Sequence, residues 1–431
     1  MSQGPARAPI PFPTPLTALD PHSRVWVDID LAALTRNLRR CEALLPEGCT
    51  VLAVVKANAY GHGLVPIARH LASVGVRAFA VSCLEEAAAL RAADVPGDIL
   101  IMGYTDPALA PLLAQYGCTQ TLLSLDYAQA LSGQGVELKA AVKVDTGMNR
   151  LGERAGDLDR LAACYTQPHL TVISSYTHLC QCDNLSAASL SYSQLQIRRF
   201  EDAMAALRQR GIDPGLRHIQ ASYGMVNESQ LSCEAARIGI ALYGAVSPER
   251  SRIFPTFEPV LSLSARVALV KDVPAGEGVG YNHTFVACRP SRIAVVAAGY
   301  ADGIDRNLSN RGWALVRGRR TPIVGNVCMG QLTLDVTGMP GVATGDRVVF
   351  IGRDGDETLT ALDMAEACGS IVPQTLSAIP DATPGMPHTT GAPPHHCRIP
   401  SDLPPAATPA PANQPPGNPP AQSPPPRAGG A

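Results

Sequence analysis

The sequence predicts an α/β protein in which a (β/α)8 TIM-type barrel precedes a mostly-β C-terminal domain and a disordered proline-rich tail. Three observations support this prediction. Short apolar runs alternate with helical patterns over residues 51–244, strand-like runs replace the helical patterns over 254–372, and 17 of the 38 prolines lie at or after position 380. At 431 residues the chain is long enough for two or three domains of roughly 100–200 residues each.

The barrel prediction covers residues 24–250 and depends on a count of strand–helix units. About eight such units in about 200 residues are typical of a (β/α)8 barrel. A doubly wound sheet is the alternative, although it normally uses fewer strands. One helical segment has Leu195, Phe200, Met204 and Leu207 near helical spacing, which predicts a buried stripe. The apolar runs are VLAVV, AFAVS, ILIMG, TQTLL, AAVKV, TVISSYT, LRHIQ and RIGIALYG.

The regions around the barrel have different compositions. Residues 254–372 predict a β domain, because runs such as LSLSARVALVKDV and DRVVFIG alternate with Gly and Pro turns. An early strand at 25–31 is expected to pair with this domain. Residues 1–23 predict a flexible segment and residues 380–431 a disordered tail, because proline removes backbone donors. The abrupt change at about 380 has two interpretations, a shifted reading frame or a natural linker.

Composition and charge argue against several classes of protein. With 35 Lys plus Arg against 37 Asp plus Glu, the net charge of -2 is too balanced for an electrostatic nucleic-acid binder. The chain has neither a run of about 18 apolar residues, as a membrane span requires, nor an N-terminal pattern typical of a secretory signal. The 12 cysteines are scattered without metal-ligand spacing, so we expect no metal site and free thiols in the cytoplasm.

Polar residues at the predicted C-terminal strand ends form the candidate site, because active sites of such barrels lie there. Lys56 follows five apolar residues, and partial burial would lower its pKa and free the amine for imine chemistry. A lysine that reaches past a strand end to solvent is the alternative. An ion pair with Asp145 is the alternative for Lys143, and a core position is the alternative for His178. Cations, an imidazole and small residues on one rim suit an anionic, planar, phosphate-bearing cofactor.

Seven motifs occur in order along the chain. They are AVVKANAYGHG, KVDTGMNRLG, YTHL, RIGIALYG, GVGYNHTF, GYADGIDR and VGNVCM. With them the chain resembles the alanine racemase family, whose members are pyridoxal-phosphate enzymes of fold type III. The resemblance covers about residues 24–371. The segments ILIMGYT and HIQASYG are more similar to the branch that contains serine/alanine racemases.

The resemblance implies racemisation of L-alanine to D-alanine for peptidoglycan synthesis. Racemisation removes a proton from one face of a planar intermediate and returns it on the other, so it requires two bases. By resemblance, Lys56 binds pyridoxal 5'-phosphate and acts as one base, and Tyr281 acts as the other from the partner subunit of a homodimer. Arg150 and Met329 are the implied substrate contacts.

The remaining implied roles concern the cofactor. Arg237 would face the pyridine nitrogen, where a guanidinium donates a hydrogen bond but accepts no proton. His178 would pack near the pyridine ring, and Arg150 would face the phenolic oxygen. Lys143 occupies the position at which many members carry a carbamylated lysine. The residues implied to hold the phosphate are Tyr60, Ser222, Gly239 and Ile240.

Two positions depart from the family pattern. Gly330 stands where members usually have an aspartate, and residues 371–377 lack the phosphate-binding tyrosine. The alternatives to an alanine racemase are a serine or broad-specificity racemase, an impaired racemase, and a non-catalytic pyridoxal-phosphate-binding protein. The last typically lacks a β domain. A fold type III decarboxylase matches the architecture, but the motifs count against it.

Overall fold

The barrel is built from strands that lie between residues 50 and 238 of the computed structural model. The structure describes residues 24–228, 231, 233–253, 256–381, 383 and 385–388. The first ten strands are β1 (Val25–Asp30), β2 (Thr50–Val54), β3 (Ala78–Val81), β4 (Asp98–Ile101), β5 (Cys118–Leu122), β6 (Leu138–Asp145), β7 (Glu153–Arg154), β8 (Leu170–Tyr176), β9 (Leu216–His218) and β10 (Ala235–Ile238).

Eight of these strands run parallel around the barrel in the order β10, β2, β3, β4, β5, β6, β8, β9. The two ends of this sheet meet where an isolated bridge joins Ala221 to Arg237. The Arg237 N–H also donates to the Gln220 carbonyl at 3.0 Å. Because this order is cyclic, the barrel prediction is confirmed and the doubly wound alternative is wrong.

A small apolar cluster occupies the barrel and supports the candidate site. Val54, Ala80, Leu100, Ala141 and Tyr176 are all buried and in mutual contact. Tyr176, the last residue of β8, is the one aromatic residue among these five. The Tyr176 ring thus lies inside the barrel, at the end where the strands lead into the candidate site residues.

Helices connect the strands, and most bury one apolar face. In α7, Ile197, Phe200, Met204 and Leu207 are buried, whereas Leu195 is half-buried because it lies off the stripe that these four residues define. In the described part of the chain, no helix is long and apolar enough to cross a membrane. The helices are α1 (Leu31–Leu44), α2 (Leu64–Ser73), α3 (Leu84–Ala92), α4 (Ala110–Gln115), α5 (Leu125–Ser132), α6 (Leu158–Cys164), α7 (Ala187–Gln209) and α8 (Ser222–Asn227).

The second domain is a sheet organised around one long strand, β11. This strand pairs with β14, β18 and β1, and its contact with β1 runs antiparallel from Val25 opposite Ala265 to Ile29 opposite Leu261. The opening strand therefore belongs to this sheet. The other elements are β11 (Leu261–Val273), β12 (Gly278–Val279), β13 (Phe285–Val286), β14 (Ser291–Val296), β15 (Trp313–Val316), β16 (Arg319–Pro322), β17 (Leu332–Asp335), β18 (Arg347–Asp354), β19 (Glu357–Leu359), β20 (Gly385–His388), α9 (Ala361–Cys368) and α10 (Val372–Ser377).

The C-terminal boundary lies later than the sequence predicted. Strand β20 pairs in parallel with β1, from Val27 opposite Gly385 to Asp30 opposite His388. The sheet therefore extends past 372, and the tail does not begin at 380. The strand contains Pro387, which the edge position of β20 in the sheet tolerates. The predicted flexible segment 1–23 and the tail beyond 388 lie outside the described residues.

Candidate active site

The C-terminal ends of the barrel strands bring together the polar residues that the sequence singled out. Lys56 comes two residues after β2, and Lys143 lies near the end of β6. His178 comes two residues after β8, Ser222 begins α8 beyond β9, and Arg237 lies in β10. Because the strands are parallel, all five positions lie at one rim of the barrel, where active sites of this fold are found.

The segment that begins at Lys56 is a left-handed turn, which the sequence did not predict. Residues 57–60 have φ between +52° and +53°. Residues other than glycine rarely adopt this conformation, which costs roughly 1–2 kcal/mol per residue. The turn ends at Gly61, where an added β-carbon would lie only 2.2 Å from the Leu376 carbonyl oxygen. Helix α10 therefore packs closely against the turn.

A small polar cradle lies between this turn and the end of β10. The Ser222 hydroxyl accepts hydrogen bonds from the N–H groups of Gly239 and Ala241, each at 3.2 Å. A β-carbon at position 239 would lie 2.7 Å from the Tyr60 hydroxyl, so glycine is needed there. Burial raises the pKa of Tyr60 to about 12, which keeps its hydroxyl protonated and able to donate. Both amides are therefore directed at the Ser222 oxygen, and Ile240 lies between them in the chain.

Arg237 is a buried cation held by carbonyl groups. Its two Nη atoms donate to the backbone carbonyls of Thr177, His218 and Ile219. Among the described residues, no acceptor contacts its Nε–H. Burial lowers the pKa of Arg237 to about 10, so the guanidinium stays charged at neutral pH. A buried charge without a carboxylate partner is unfavourable on its own, and it favours a ligand that accepts a hydrogen bond or carries negative charge.

The ring of Tyr176 forms a platform beneath these charges. The Arg237 guanidinium lies 4.9 Å and the Lys143 ammonium 5.6 Å from the ring centroid, as cation–π contacts require. The His218 ring stacks on Tyr176 at 4.8 Å between centroids. The Tyr176 hydroxyl bonds Thr121 Oγ1 at 3.0 Å, which fixes the ring. No role for Tyr176 or His218 was predicted from the sequence, although Tyr176 lies in the YTHL motif.

Two lysines of the rim lose their protons more easily than an exposed lysine. Burial, followed by the positive charges of Arg237 and Arg150, lowers the pKa of Lys143 to about 7. Its ammonium donates to a backbone carbonyl at 3.0 Å, and within the described structure no ion pair with Asp145 forms. Burial, Arg150 and Arg237 also lower the pKa of Lys56. The rim is therefore rich in positive charge and poor in carboxylates.

His178 completes what we call the barrel half of the site. Its Nδ1 lies 3.5 Å from Arg237 Nη2, and desolvation by burial and the nearby cations lower its pKa to about 3. The imidazole is thus neutral and suited to packing against a ring. Arg150 is exposed. The barrel half comprises Lys56, Tyr60, Lys143, Arg150, His178, Ser222, Arg237, Gly239 and Ile240.

The β-domain half of the site comprises Tyr281, Asn326 and Met329. The Tyr281 and Met329 side chains are 68% and 63% exposed. The Asn326 side chain donates to the Tyr281 carbonyl at 2.9 Å, which ties the two loops together. Within the described structure, no hydrogen bond or ion pair joins these residues to the barrel half. A β-carbon at Gly330 would meet no atom within 4 Å, so the loop has open space where the family has a larger residue.

Comparison with known families decides the identity of this two-domain arrangement. The profile described as "Alanine racemase, N-terminal domain" matches residues 29–248, and the profile "Alanine racemase, C-terminal domain" matches residues 260–386. The chain belongs to the alanine racemase family. It is therefore an isomerase, an amino-acid racemase. The match extends to residue 386, past the change of composition at 380, and so includes the first residues of β20.

Individual relatives of this racemase cover both domains. The alanine racemase of Syntrophobacter fumaroxidans is 39% identical over 351 residues, which are 80% of this chain and 92% of that protein. The amino-acid racemase of Enterococcus faecalis is 36% identical over 82% of this chain, which spans only 50% of that protein. The solved alanine racemase of Streptomyces coelicolor A3(2) has a TM-score of 0.79 at 31% identity, covering 85% of this chain and 98% of that one.

Helix α10 covers the segment that the sequence singled out for its missing tyrosine. It has no tyrosine, as the sequence indicated, and Pro373 lies in its first turn. The Thr375 hydroxyl in this helix is buried, and no described residue bonds it. The helix thus packs against the left-handed turn without adding a phenol to the cradle.

Proposed function

We propose that this racemase binds pyridoxal 5'-phosphate at Lys56 and interconverts L- and D-alanine in the cytoplasm, supplying D-alanine for peptidoglycan. The observation that carries the proposal is the barrel half of the site. It combines a lysine of lowered pKa, a cradle of hydroxyl and amide groups, and a buried arginine that no carboxylate of the described chain contacts. The relatives named alanine racemase favour alanine as the substrate.

The donor set of the barrel half fits this cofactor. The hydroxyls of Tyr60 and Ser222 and the backbone N–H groups of Gly239 and Ile240 are the proposed phosphate contacts, since such groups bind phosphate oxygens well. The Gly239 N–H, which donates to the Ser222 oxygen, would be shared with the phosphate. The free Nε–H of Arg237 is the proposed donor to the pyridine nitrogen, and neutral His178 packs beside the ring. When bound, the cofactor makes the α-proton of an amino acid acidic enough to be removed.

The chain's own residues then move that proton. Lys56 Nζ takes it from one face, and its lowered pKa favours the neutral amine that this step requires. The Tyr281 hydroxyl returns a proton on the other face. Arg150 and the Met329 backbone orient the substrate carboxylate.

Arg237 is proposed to limit transamination, because a guanidinium does not pass a proton to the pyridine nitrogen. Substitution of Arg237→Glu should therefore raise pyruvate formation from alanine. A variant that forms no more pyruvate than the unsubstituted racemase would remove this role.

Tyr281 and Met329 are proposed to complete the site of a second subunit in a homodimer. Both side chains are mostly exposed. Nearby cations favour the phenolate form of a tyrosine, so a cation-rich surface against Tyr281 would suit a role as a base. The barrel half supplies such a surface, and within the described chain no hydrogen bond or ion pair joins Tyr281 to it.

Lys143 is proposed to carry a carbamate. A lysine with a pKa of about 7 is partly neutral and nucleophilic at physiological pH, so it can combine with carbon dioxide. The product is a negative group that would offset the positive charges of Arg150 and Arg237. Mass measurement of the protein under non-denaturing conditions, repeated with Lys143→Met, would detect the added carbon dioxide.

A broader amino-acid specificity is the second candidate. The open space at Gly330 leaves room for a substrate larger than alanine, and the Enterococcus faecalis relative is named an amino-acid racemase. Serine differs from alanine by a hydroxyl, which an open pocket rejects weakly.

The test supplies the purified racemase and pyridoxal phosphate with L-alanine or L-serine and measures the D-isomer. We expect faster conversion of alanine and a loss of about a thousandfold in Lys56→Ala. Lys139→Ala is the matched control, because Lys139 is an exposed lysine at the start of β6. Faster conversion of serine would establish the second candidate, and no D-isomer from either substrate would identify an impaired, non-catalytic protein.

A further inference from the structure

The left-handed turn after Lys56 needs support from outside itself. Four successive residues, 57–60, hold a conformation that none of their side chains favours intrinsically, except to some degree that of Asn58. Such backbone persists only where surrounding contacts determine it. The contacts made by this turn therefore identify the residues that set the position of Lys56.

Glu86, in the first turn of α3, supplies one such contact. Its Oε1 accepts a hydrogen bond from the backbone N–H of Asn58 at 3.3 Å. Its Oε2 accepts from the N–H of Ser82 at 2.8 Å and from the Ser82 hydroxyl at 2.7 Å. One half-buried carboxylate thus connects the turn to the residue that follows β3.

Asn58 extends this support in two other directions. Its Oδ1 accepts from the Leu64 N–H at 2.6 Å, which ties the turn to the start of α2. Its Nδ2 donates to Asp381 Oδ1 at 2.6 Å, which ties the turn to the segment after α10. Side chains and backbone from three separate parts of the chain therefore meet at Asn58.

Charge at this point also favours a role for Glu86. Lys56 faces two cations, Arg150 and Arg237, which lower its pKa, and one carboxylate, Glu86, which raises it. Without Glu86 the lysine would have only positive neighbours among these groups.

We propose that Glu86 is a positioning residue for Lys56, because its carboxylate fixes the left-handed turn to the end of β3 through the Asn58 amide and Ser82. The inference rests on the proposed function, which makes Lys56 the reacting amine. Glu86 acts on the reaction only through the turn and through its charge.

The test compares Glu86→Gln with Glu85→Gln in the full-length holoenzyme. Glu85 is the neighbouring glutamate on α3, and no described hydrogen bond joins it to the turn. Glutamine cannot accept all three hydrogen bonds, so we expect amide hydrogen exchange in residues 56–63 to rise about tenfold. We also expect kcat to fall about tenfold with little change in KM.

The pH profile separates positioning from simple loss of structure. Because Glu86 raises the pKa of Lys56, its removal should move the acid limb of kcat/KM for alanine to lower pH. Glu85→Gln should leave unchanged both the acid limb of the pH profile and the amide hydrogen exchange of residues 56–63. If Glu86→Gln fails to fold, Ser82→Ala removes one anchor of the carboxylate and keeps its charge, so exchange should rise about threefold with the limb unmoved.

Failure of this inference and failure of the proposed function look different. The positioning role is wrong if Lys56→Ala is inactive but amide hydrogen exchange in residues 56–63 is the same in Glu86→Gln as in Glu85→Gln. Where Ser82→Ala replaces Glu86→Gln, the same comparison applies to it. If Lys56→Ala retains racemase activity, the proposed function is wrong whatever Glu86 does.

Discussion

The two halves of the site differ in how completely one chain builds them. In the barrel half, Arg237 is buried and donates to several carbonyl groups, and the cradle has room for no side chain at Gly239. In the β-domain half, Tyr281 and Met329 are mostly exposed. Under the proposed function, one chain supplies a preformed surface for the cofactor, and Tyr281 requires a surface of a second subunit to act as a base.

The largest effect should come from the β-domain half, although its Tyr281 side chain is mostly exposed. Tyr281→Phe keeps the ring and removes the hydroxyl, so racemisation should fall about a thousandfold in both directions. Cofactor binding should be unchanged, because the barrel half is intact. Tyr116→Phe is the matched control, because Tyr116 follows the C-terminal end of α4, away from the rim. Equal racemase activity in Tyr281→Phe and Tyr116→Phe would contradict the proposed role of Tyr281.

The burial of the barrel half predicts a pH effect through His62. This histidine is buried beside the left-handed turn, and desolvation lowers its pKa to about 4. Below about pH 6.5 the unfolded chain binds the proton first, so stability falls as pH drops from 6.5 to 4, by about 3 kcal/mol for this group.

Urea unfolding across this pH range tests that effect. His62→Gln should show a flatter pH dependence than the unsubstituted racemase, and His169→Gln, a change at an exposed histidine, should not. If the free energy of unfolding has the same pH dependence in all three proteins, His62 is not the cause of the effect.

A smaller effect should follow from filling the cradle. Gly239→Ala places a methyl group against the Tyr60 hydroxyl, and overpacking of this kind should raise the Kd for pyridoxal phosphate about tenfold. Gly338→Ala is the control, because its β-carbon would meet no atom within 4 Å. Unchanged affinity, measured by fluorescence titration, would show that the cradle does not hold the phosphate.

The smallest effect should come from the open loop of the β-domain half. Gly330→Asp restores the family's carboxylate at a position with free space, so the free energy of unfolding should change by no more than about 0.5 kcal/mol. Denaturant titration checks this value. A loss of several kcal/mol would mean that the loop is packed in solution rather than open.

Much of the fold was predictable because local patterns agree with it. The eight apolar runs became the barrel strands, and the order of the motifs placed Lys56, His178 and Arg237 on one rim. Alternation of strand and helix is a local pattern, so it can be read without knowledge of tertiary contacts.

The parts that the sequence did not predict depend on distant contacts. Residues 57–60 contain no glycine, and a single asparagine, Asn58, does not predict four successive left-handed residues. The partners of this turn, Glu86 and Asp381, lie far along the chain. Strand β20 was missed because proline-rich composition predicts disorder, whereas an edge position beside β1 tolerates Pro387. The stacking of His218 on Tyr176 likewise joins two strands.

Mixing two inactive variants tests most directly whether the halves of the site come from different chains. Lys56→Ala and Tyr281→Phe proteins would be unfolded together, refolded at equal concentration and assayed with L-alanine. If each site combines one barrel half with the partner's β-domain half, half of the dimers contain one intact site, and activity should recover to about a quarter of the unsubstituted value. Activity no higher than that of the separate variants would contradict a shared site.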